Sequence, residues 1–287
     1  MKRIAVVGAG TMGHGIAQVA AAAGYQTMLT DAREEALDAA VRRINRNLEG
    51  AVERGKLTRE ALHAVRNRLG LDPDLEHAVS GADLVIEAIA EDLDAKCTLF
   101  RKLDTVVPRD TILATNTSSL SVSAVADAVR VPERVLGMHF FNPVHIMKLV
   151  EIVVHDRTSQ PVRDRVCEAA VRMGKQPIVV RDSPGFASSR LGVVLGLEAM
   201  RMLEAGVASA EDIDRAMELG YGHPMGPLKV SDLVGLDVRL AIAEQLHRQL
   251  GDAHYRPPAI LRRKVAAGEL GKKTGKGFYD WRSDAES

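Results

Sequence analysis

Residues 3–31 read RIAVVGAGTMGHGIAQVAAAAGYQTMLTD. The opening RIAVV is short, rich in β-branched residues and closed by a glycine, the pattern of a buried strand. The alanine-rich stretch that follows stops at Gly24, as a helix does, and YQTMLTD is a second strand. Strand, helix and strand within about thirty residues make a βαβ unit, whose crossover is right-handed and whose strands are parallel. Gly8, Gly10 and Gly13 form G-x-G-x-x-G between the first strand and the helix. The first glycine makes the turn, the second lets the backbone approach a pyrophosphate, and the third lets helix and strand pack closely. The helix N-terminus then offers unsatisfied N–H groups and a positive dipole end to the phosphates. Gly8, Gly10, Thr11, Met12 and Gly13 are thus the expected dinucleotide loop. Asp31, closing the second strand, is the expected acceptor for the ribose hydroxyls. A carboxylate there favours NAD over NADP by repelling a 2′-phosphate, although Arg33 is placed to pair with that phosphate.

Working outward, the alternation continues with LVIEA (84–88), a helical stretch to about Val106, TILAT (111–115), a short helix, VLGMHFF (135–141), KLVEIVV (148–154) and QPIVV (176–180). This predicts a doubly wound α/β sheet of Rossmann type. Residues 33–67 interrupt it with two helical segments joined at Gly55, read as an inserted helical hairpin projecting from the nucleotide domain. After RDSPGF the chain turns wholly helical. The expected division is a dinucleotide-binding domain over 1–183 and a helical domain over 184–287, which the family resemblance given below makes a substrate and dimerisation domain. Within the latter, LGVVLGLEAMRML (191–203) is apolar nearly all round, which predicts a helix buried on every side in a core or a subunit interface. Ser209 and Asp212 read as a capping box for a helix ending at Gly220.

Composition narrows the function. With 38 Lys+Arg against 38 Asp+Glu the formal net charge is zero, so no overall field recruits nucleic acid. Cys97 and Cys167 match no metal-ligand spacing, and the nine histidines show no HExxH pattern, so no metal site is expected. The chain opens on a strand without a secretory leader, and no apolar run approaches ~18 residues. A cytoplasmic protein with no membrane association is the expectation.

In an open parallel sheet, ligands sit beyond the carboxyl ends of the strands. The residues found there are polar: Glu91 past LVIEA, Asn116 to Ser119 past TILAT, His139 and Asn142 past VLGM. A lone histidine at a strand end is more often a satisfied core residue, but hydroxyls, an amide and an imidazole at successive strand ends point to one crevice. The stretches GAGTMGHGIA, EAIAEDLDAK, ATNTSSLS, GMHFFNPV, MKLVEIV, DSPGF, AMELGYGHPMGPL and GKKTGKGFY, in this order along essentially the whole chain, resemble the 3-hydroxyacyl-CoA dehydrogenase family.

That resemblance implies an NAD-linked, reversible oxidation of an (S)-3-hydroxyacyl-CoA to the 3-oxoacyl-CoA, with the four-carbon 3-hydroxybutyryl-CoA the expected substrate, in fatty acid or butanoate metabolism. It places His139 as general base, Glu151 as the carboxylate that orients it, and Ser118 in contact with both the substrate oxygen and the nicotinamide. It also implies NAD contacts from Glu91, Lys96, Asn116, Asn142 and Lys273, a CoA contact from Arg54 on the hairpin, and a homodimer. The chemistry agrees, because a neutral imidazole near pH 7 suits removal of the hydroxyl proton. Spacing also permits strands 135–141 and 148–154 to return side by side with the carboxylate facing the ring.

Two positions depart from the family's pattern. Ser189 stands where an asparagine that positions substrate is expected; it reaches less far and would act through a bridging water. Gly50 stands where close relatives often carry a lysine. A dehydrogenase of a non-CoA hydroxy acid, and a crystallin-like NAD-binding protein without metabolic activity, are the competing readings; retention of Ser118, His139 and Glu151 together disfavours the second.

Overall fold

The computed structural model describes residues 1–282 of the chain. β1 (Arg3–Val7), α1 (Gly13–Ala22) and β2 (Gln26–Thr30) form the opening βαβ unit. Then come α2 (Glu34–Glu53), α3 (Arg59–Arg68), β3 (Leu69–Leu71), α4 (Leu75–Val79), β4 (Leu84–Glu87), α5 (Leu93–Val106), β5 (Ile112–Thr115) and α6 (Val122–Ala126). β6 (Val135–Phe140), β7 (Leu149–Val154), α7 (Gln160–Arg172) and β8 (Gln176–Arg181) complete the sheet unit. The strands lie in the order β3-β2-β1-β4-β5-β6-β7-β8. Every neighbouring pair is parallel except β6 and β7. The chain builds outward from β1 through β2 and β3, then returns to place β4 on the other side. This switch opens a crevice at the carboxyl ends of β1 and β4.

β1 shows why the strands lack polar alternation. Ile4 and Val6 belong to one apolar cluster with Ile16, Leu29 and Ile86, while Ala5 and Val7 belong to another with Val85, Phe100 and Leu113. A strand covered on both faces needs apolar side chains at every position. Each fully buried aliphatic side chain of this kind contributes about 1.5–3 kcal/mol.

The helical insertion is seated on α1. Ile44, Leu48, Leu62 and Val65 of α2 and α3 pack over Ala21 of α1, and Thr58 caps α3 by accepting from the Ala61 amide. The hairpin is the crossover from β2 to β3. That edge strand, LGL, is too short and too exposed to carry a periodic signal.

The chain divides into two compact units, one from Met1 to Ser183 and the other from Pro184 onward. The second is built from α8 (Ser188–Glu204), α9 (Ala210–Tyr221), α10 (Pro227–Val234), α11 (Leu236–Leu250) and α12 (Ala259–Ala266). Ser209 caps α9 through the Asp212 amide, but the helix runs past Gly220 and ends at Gly222, whose φ of 71° is left-handed. On α8 Val193, Gly196, Leu197 and Met200 face the core of this unit, whereas Leu191 is 73% exposed in the single chain.

Two buried aspartates organise this unit. Asp232 accepts from the amides of Phe278 and Tyr279 and from the Trp281 indole at 2.9, 2.9 and 2.8 Å. Asp214 accepts from the Leu228 and Lys229 amides at the start of α10 and from the Tyr279 hydroxyl. Arg239 sits on the buried face of α11 with Leu236, Ala243 and Leu246. Among the described residues its Nε has no hydrogen-bond partner, and burial pulls its pKa below the usual range.

Candidate active site

The antiparallel ladder of β6 and β7 puts His139 opposite Glu151. Directly opposed residues project from the same face of a sheet, so their side chains meet. Nδ1 of His139 lies 2.8 Å from Oε2 of Glu151, both side chains being buried. A carboxylate accepts, so Nδ1 carries the hydrogen and the ring's acceptor is Nε2. Phe141 lies against the imidazole with ring centroids 4.5 Å apart, while Phe140 packs into the core.

One cavity of about 520 Å³ is lined by His139 and Ser118, by Gly10, Thr11 and Met12, and by Glu91, Asn116 and Asn142. Asn116 serves the base as well, its Oδ1 accepting from the amide of Phe140, the residue after His139. A neighbouring cavity of about 380 Å³ is lined by Gly8, Gly10, Asp31, Arg33 and Ile89. Asp31 accepts from the amides of Ala9 and Arg33 at 2.8 and 3.0 Å, and the exposed Arg33 guanidinium leans on it at 3.7 Å.

The glycines test whether this loop fits a dinucleotide. A Cβ at Gly13 would lie 1.7 Å from the Gly8 carbonyl oxygen, and Gly8, with φ of 103°, has no room beside Ala88. Those two glycines are required by the chain's own packing. Gly10 is different: a Cβ there would meet nothing within 4 Å. Its small size is explained by something else approaching the backbone, which is what a pyrophosphate does.

Glu91 holds the turn after β5. Its Oε1 accepts from the Thr117 hydroxyl at 2.6 Å, the amides of Ser118 and Ser119 at 2.9 and 3.2 Å, and the Ser118 hydroxyl at 3.2 Å. Burial pushes the Glu91 carboxyl up, but the Thr117 hydrogen bond, the Lys96 charge and the Ser118 amide outweigh it and hold it below the usual carboxylate range. Lys96, expected to touch the dinucleotide, does not line either cavity. It is 1% exposed and its ammonium sits between Glu87 and Glu91, at 2.5 and 3.4 Å.

Arg54 ends α2 and lies apart from His139, in a cavity of about 880 Å³ with Lys56, His145, Lys148, Arg172 and Lys175. A smaller cavity of about 290 Å³, lined by His14, Arg43, Arg46 and His145, shares Thr11 and Asn142 with the His139 cavity. The three therefore form a track from the imidazole to the hairpin. Arg43, Arg46, His14 and His145 were not singled out from the sequence, although Arg43, Arg46, Gly50 and Arg54 follow helical spacing on one face of α2. Burial, opposed for His14 by the Gly10 carbonyl, lowers the pKa of both histidines; Arg43 adds to this at His14, and His14, Lys175 and Arg54 at His145. A Cβ at Gly50 would lie 3.1 Å from the tip of the flexible Arg54 side chain, which a small shift relieves, so the structure gives no reason for the departure there.

Ser189 and Lys273 belong to the helical unit. Ser189 occupies the first turn of α8, after a strained approach in which Phe186 adopts φ of 48°. Lys273 is held by both oxygens of Asp237, at 2.6 and 2.7 Å. Among the described residues no cluster of side chains suited to a metal occurs, and no helix is long and apolar enough to cross a membrane.

The sequence matches the 3-hydroxyacyl-CoA dehydrogenase NAD binding domain over residues 3–183 and the C-terminal domain over residues 185–281. It is 47% identical over 281 residues to the probable 3-hydroxybutyryl-CoA dehydrogenase of Bacillus subtilis (strain 168), covering 98% of each chain. It is 44% identical to the 3-hydroxyadipyl-CoA dehydrogenase of Escherichia coli (strain K12), matching along 100% of its own length and 60% of that protein. The crystal structure of (S)-3-hydroxybutyryl-CoA dehydrogenase PaaH1 from Ralstonia eutropha superposes with a TM-score of 0.94 at 38% identity, covering 98% of this chain and 99% of that one.

Proposed function

The chain belongs to the 3-hydroxyacyl-CoA dehydrogenase family, and from that premise we propose that it interconverts (S)-3-hydroxybutyryl-CoA and acetoacetyl-CoA with NAD. The observation that carries the reading is the buried His139–Glu151 pair at 2.8 Å, opening on the cavity that Ser118 and the glycine loop also line.

When bound, NAD supplies the hydride acceptor for C3 of the substrate. His139 Nε2 takes the proton of the 3-hydroxyl as the C3–H bond breaks, leaving the 3-oxo product, NADH and an imidazolium that later releases its proton. Glu151 fixes the ring through Nδ1–H and stabilises its charged form. Ser118 donates to the substrate oxygen, where negative charge develops in the reduction direction. The α1 N-terminus with Gly8, Gly10, Thr11, Met12 and Gly13 holds the pyrophosphate, and Asp31 holds the adenosine ribose, which selects NAD. Glu91, Asn116 and Asn142 border the nicotinamide end. The basic track through Arg43, Arg46 and Arg54 suits the phosphates of CoA, which argues against a non-CoA hydroxy acid.

Residues 1–183 are the cofactor domain in this reading and residues 184–287 the substrate and dimerisation domain, contributing Ser189 and Lys273. Leu191, Leu219 and Tyr221, at 73%, 84% and 78% exposed, are apolar surface suited to a homodimer. The free thiols of Cys97 and Cys167 fit a reducing, cytoplasmic setting. The deciding assay mixes the protein with NADH and acetoacetyl-CoA and follows the nicotinamide absorbance. Oxidation of NADH, and its reversal with NAD and (S)-3-hydroxybutyryl-CoA, is expected; no turnover with either substrate overturns the reading.

A further inference from the structure

Glu87 ends β4 inside the apolar run LVIE, fully buried and outside both cavities. A charge in such a place is unfavourable unless it is paired and hydrogen-bonded. Its Oε1 accepts from the Ile89 amide at 2.8 Å and from Lys96 Nζ at 2.5 Å, and its Oε2 from the Thr115 hydroxyl at 2.6 Å. Lys96 in turn lies 3.4 Å from Oε2 of Glu91, whose other oxygen gathers the 117–119 turn. One ammonium is therefore shared by two carboxylates, one buried and one at the cavity. A well-packed apolar pair of similar volume commonly serves a core as well as a buried ion pair does. The reason for this cluster is accordingly sought in what it holds.

We propose that Glu87 is a positioning residue for the reaction proposed above, acting through Lys96 and Glu91 on Ser118. Glu87 anchors the ammonium from below, so Lys96 approaches Glu91 from one side only. Glu91 keeps its second oxygen for Thr117, Ser118 and Ser119. The two amides and the Thr117 hydroxyl fix the turn, so the Ser118 hydroxyl can rotate from Glu91 to a substrate oxygen without the turn moving. Without the Glu87 charge, the ammonium loses its anchor and no longer holds Glu91 in place, so the turn that Glu91 gathers shifts. Glu87 itself touches neither ligand, so its loss should slow the chemical step while leaving binding in place. A misplacement of about 1 Å at a reacting group costs on the order of 10²-fold in rate.

The test compares wild type, Glu87→Gln and the double variant Glu87→Gln/Lys96→Met as full chains. Five quantities are measured: kcat and KM for acetoacetyl-CoA reduction, NADH affinity by fluorescence titration, the primary isotope effect with NADH deuterated at the transferred position, and the thermal midpoint. For Glu87→Gln, kcat should fall about tenfold to a hundredfold, with KM and NADH affinity within about threefold and a larger isotope effect. The double variant, in which no ammonium is left unpaired, should regain most of the thermal midpoint without regaining kcat. Should Glu87→Gln fail to fold, the double variant alone carries the test. Recovery of kcat together with the midpoint would reduce Glu87 to packing and overturn the inference. A loss of NADH affinity as large as the loss of kcat would do the same, by placing the cluster's effect on the cofactor. A wild type that binds NADH yet reduces no 3-oxoacyl-CoA overturns the functional reading itself, and this inference with it.

Discussion

Glu91 in the sheet unit and Asp232 in the helical unit each use a carboxylate to gather amide and side-chain donors from a distant turn. Asp232 takes the amides of Phe278 and Tyr279 and the Trp281 indole, and is 1% exposed. Its surroundings are closed so tightly that a Cβ at Gly277 would lie 2.1 Å from Oδ1. Glu91 holds the 117–119 turn in a similar manner, but its side chain is 37% exposed and one of its donors is the Ser118 hydroxyl, which faces a cavity. Exposure, and not the number of donors, sets their roles apart. A sealed carboxylate anchors the chain, whereas one left open at a cavity keeps a donor that a ligand can claim. Substitutions around the first should cost stability and spare the rate; substitutions around the second should do the reverse.

His139→Gln gives the largest expected effect on the side of rate. General acid–base groups contribute roughly 10² to 10⁴, so kcat should drop by about that factor while NADH still binds and the thermal midpoint barely moves. Near wild-type turnover in the folded variant would remove His139 from the mechanism. Asp232→Ala is the counterpart in the helical unit. Three donors lose a buried acceptor at about 1 kcal/mol or more each, so stability should fall by about 3 kcal/mol in a denaturant titration, with kcat per folded molecule unchanged. A parallel collapse of kcat under conditions where the variant is folded would erase the distinction.

Arg239→Leu sharpens the comparison from the opposite direction. Relieving a buried guanidinium whose Nε lacks a partner among the described residues should raise stability by about 1–2 kcal/mol. A lower thermal midpoint would mean that Arg239 has a counter-charge in solution. The smallest effect concerns pH. Because the folded-state pKa of Glu91 lies below its ordinary value of 4.5, its contribution is present above that value and fades as the pH falls through the folded one. Glu91→Gln should therefore flatten the acid limb of the stability profile below about pH 4.5, and an identical limb in both proteins would separate the clamp from stability.

Much of the sheet was legible because a strand buried on both faces writes itself as an apolar run, and each run from RIAVV to KLVEIVV became a strand; QPIVV did so too, although β8 is an edge strand with its residues half-buried or exposed. The His139 and Glu151 ladder was legible because two adjacent strands with a Pro-containing turn leave little choice of pairing. β3 was not, since three half-exposed residues carry no period. The role of Glu87 was missed although its signal was visible: a carboxylate inside LVIE must find a cation, and the sequence does not show which one. Lys96 was named as a cofactor contact through the family resemblance alone, which does not report that its ammonium is buried between Glu87 and Glu91. The Asp214 and Asp232 networks join residues up to 65 apart in sequence, beyond the reach of any local pattern.

The antiparallel seam between β6 and β7 has a genetic consequence. Side chains alternate between faces along a strand, so whether Glu151 meets His139 is a matter of parity. Losing one codon at Met138 or Ile152 forces the ladder to slip by one residue or to break, and a slip sends one member of the pair to the opposite face. Losing a codon from the loop between the strands leaves the parity intact, because the loop absorbs the change. In-frame length variation in this gene should accordingly be tolerated a few residues from the catalytic pair and lethal to activity within the ladder, even where every side chain that performs the chemistry is still encoded.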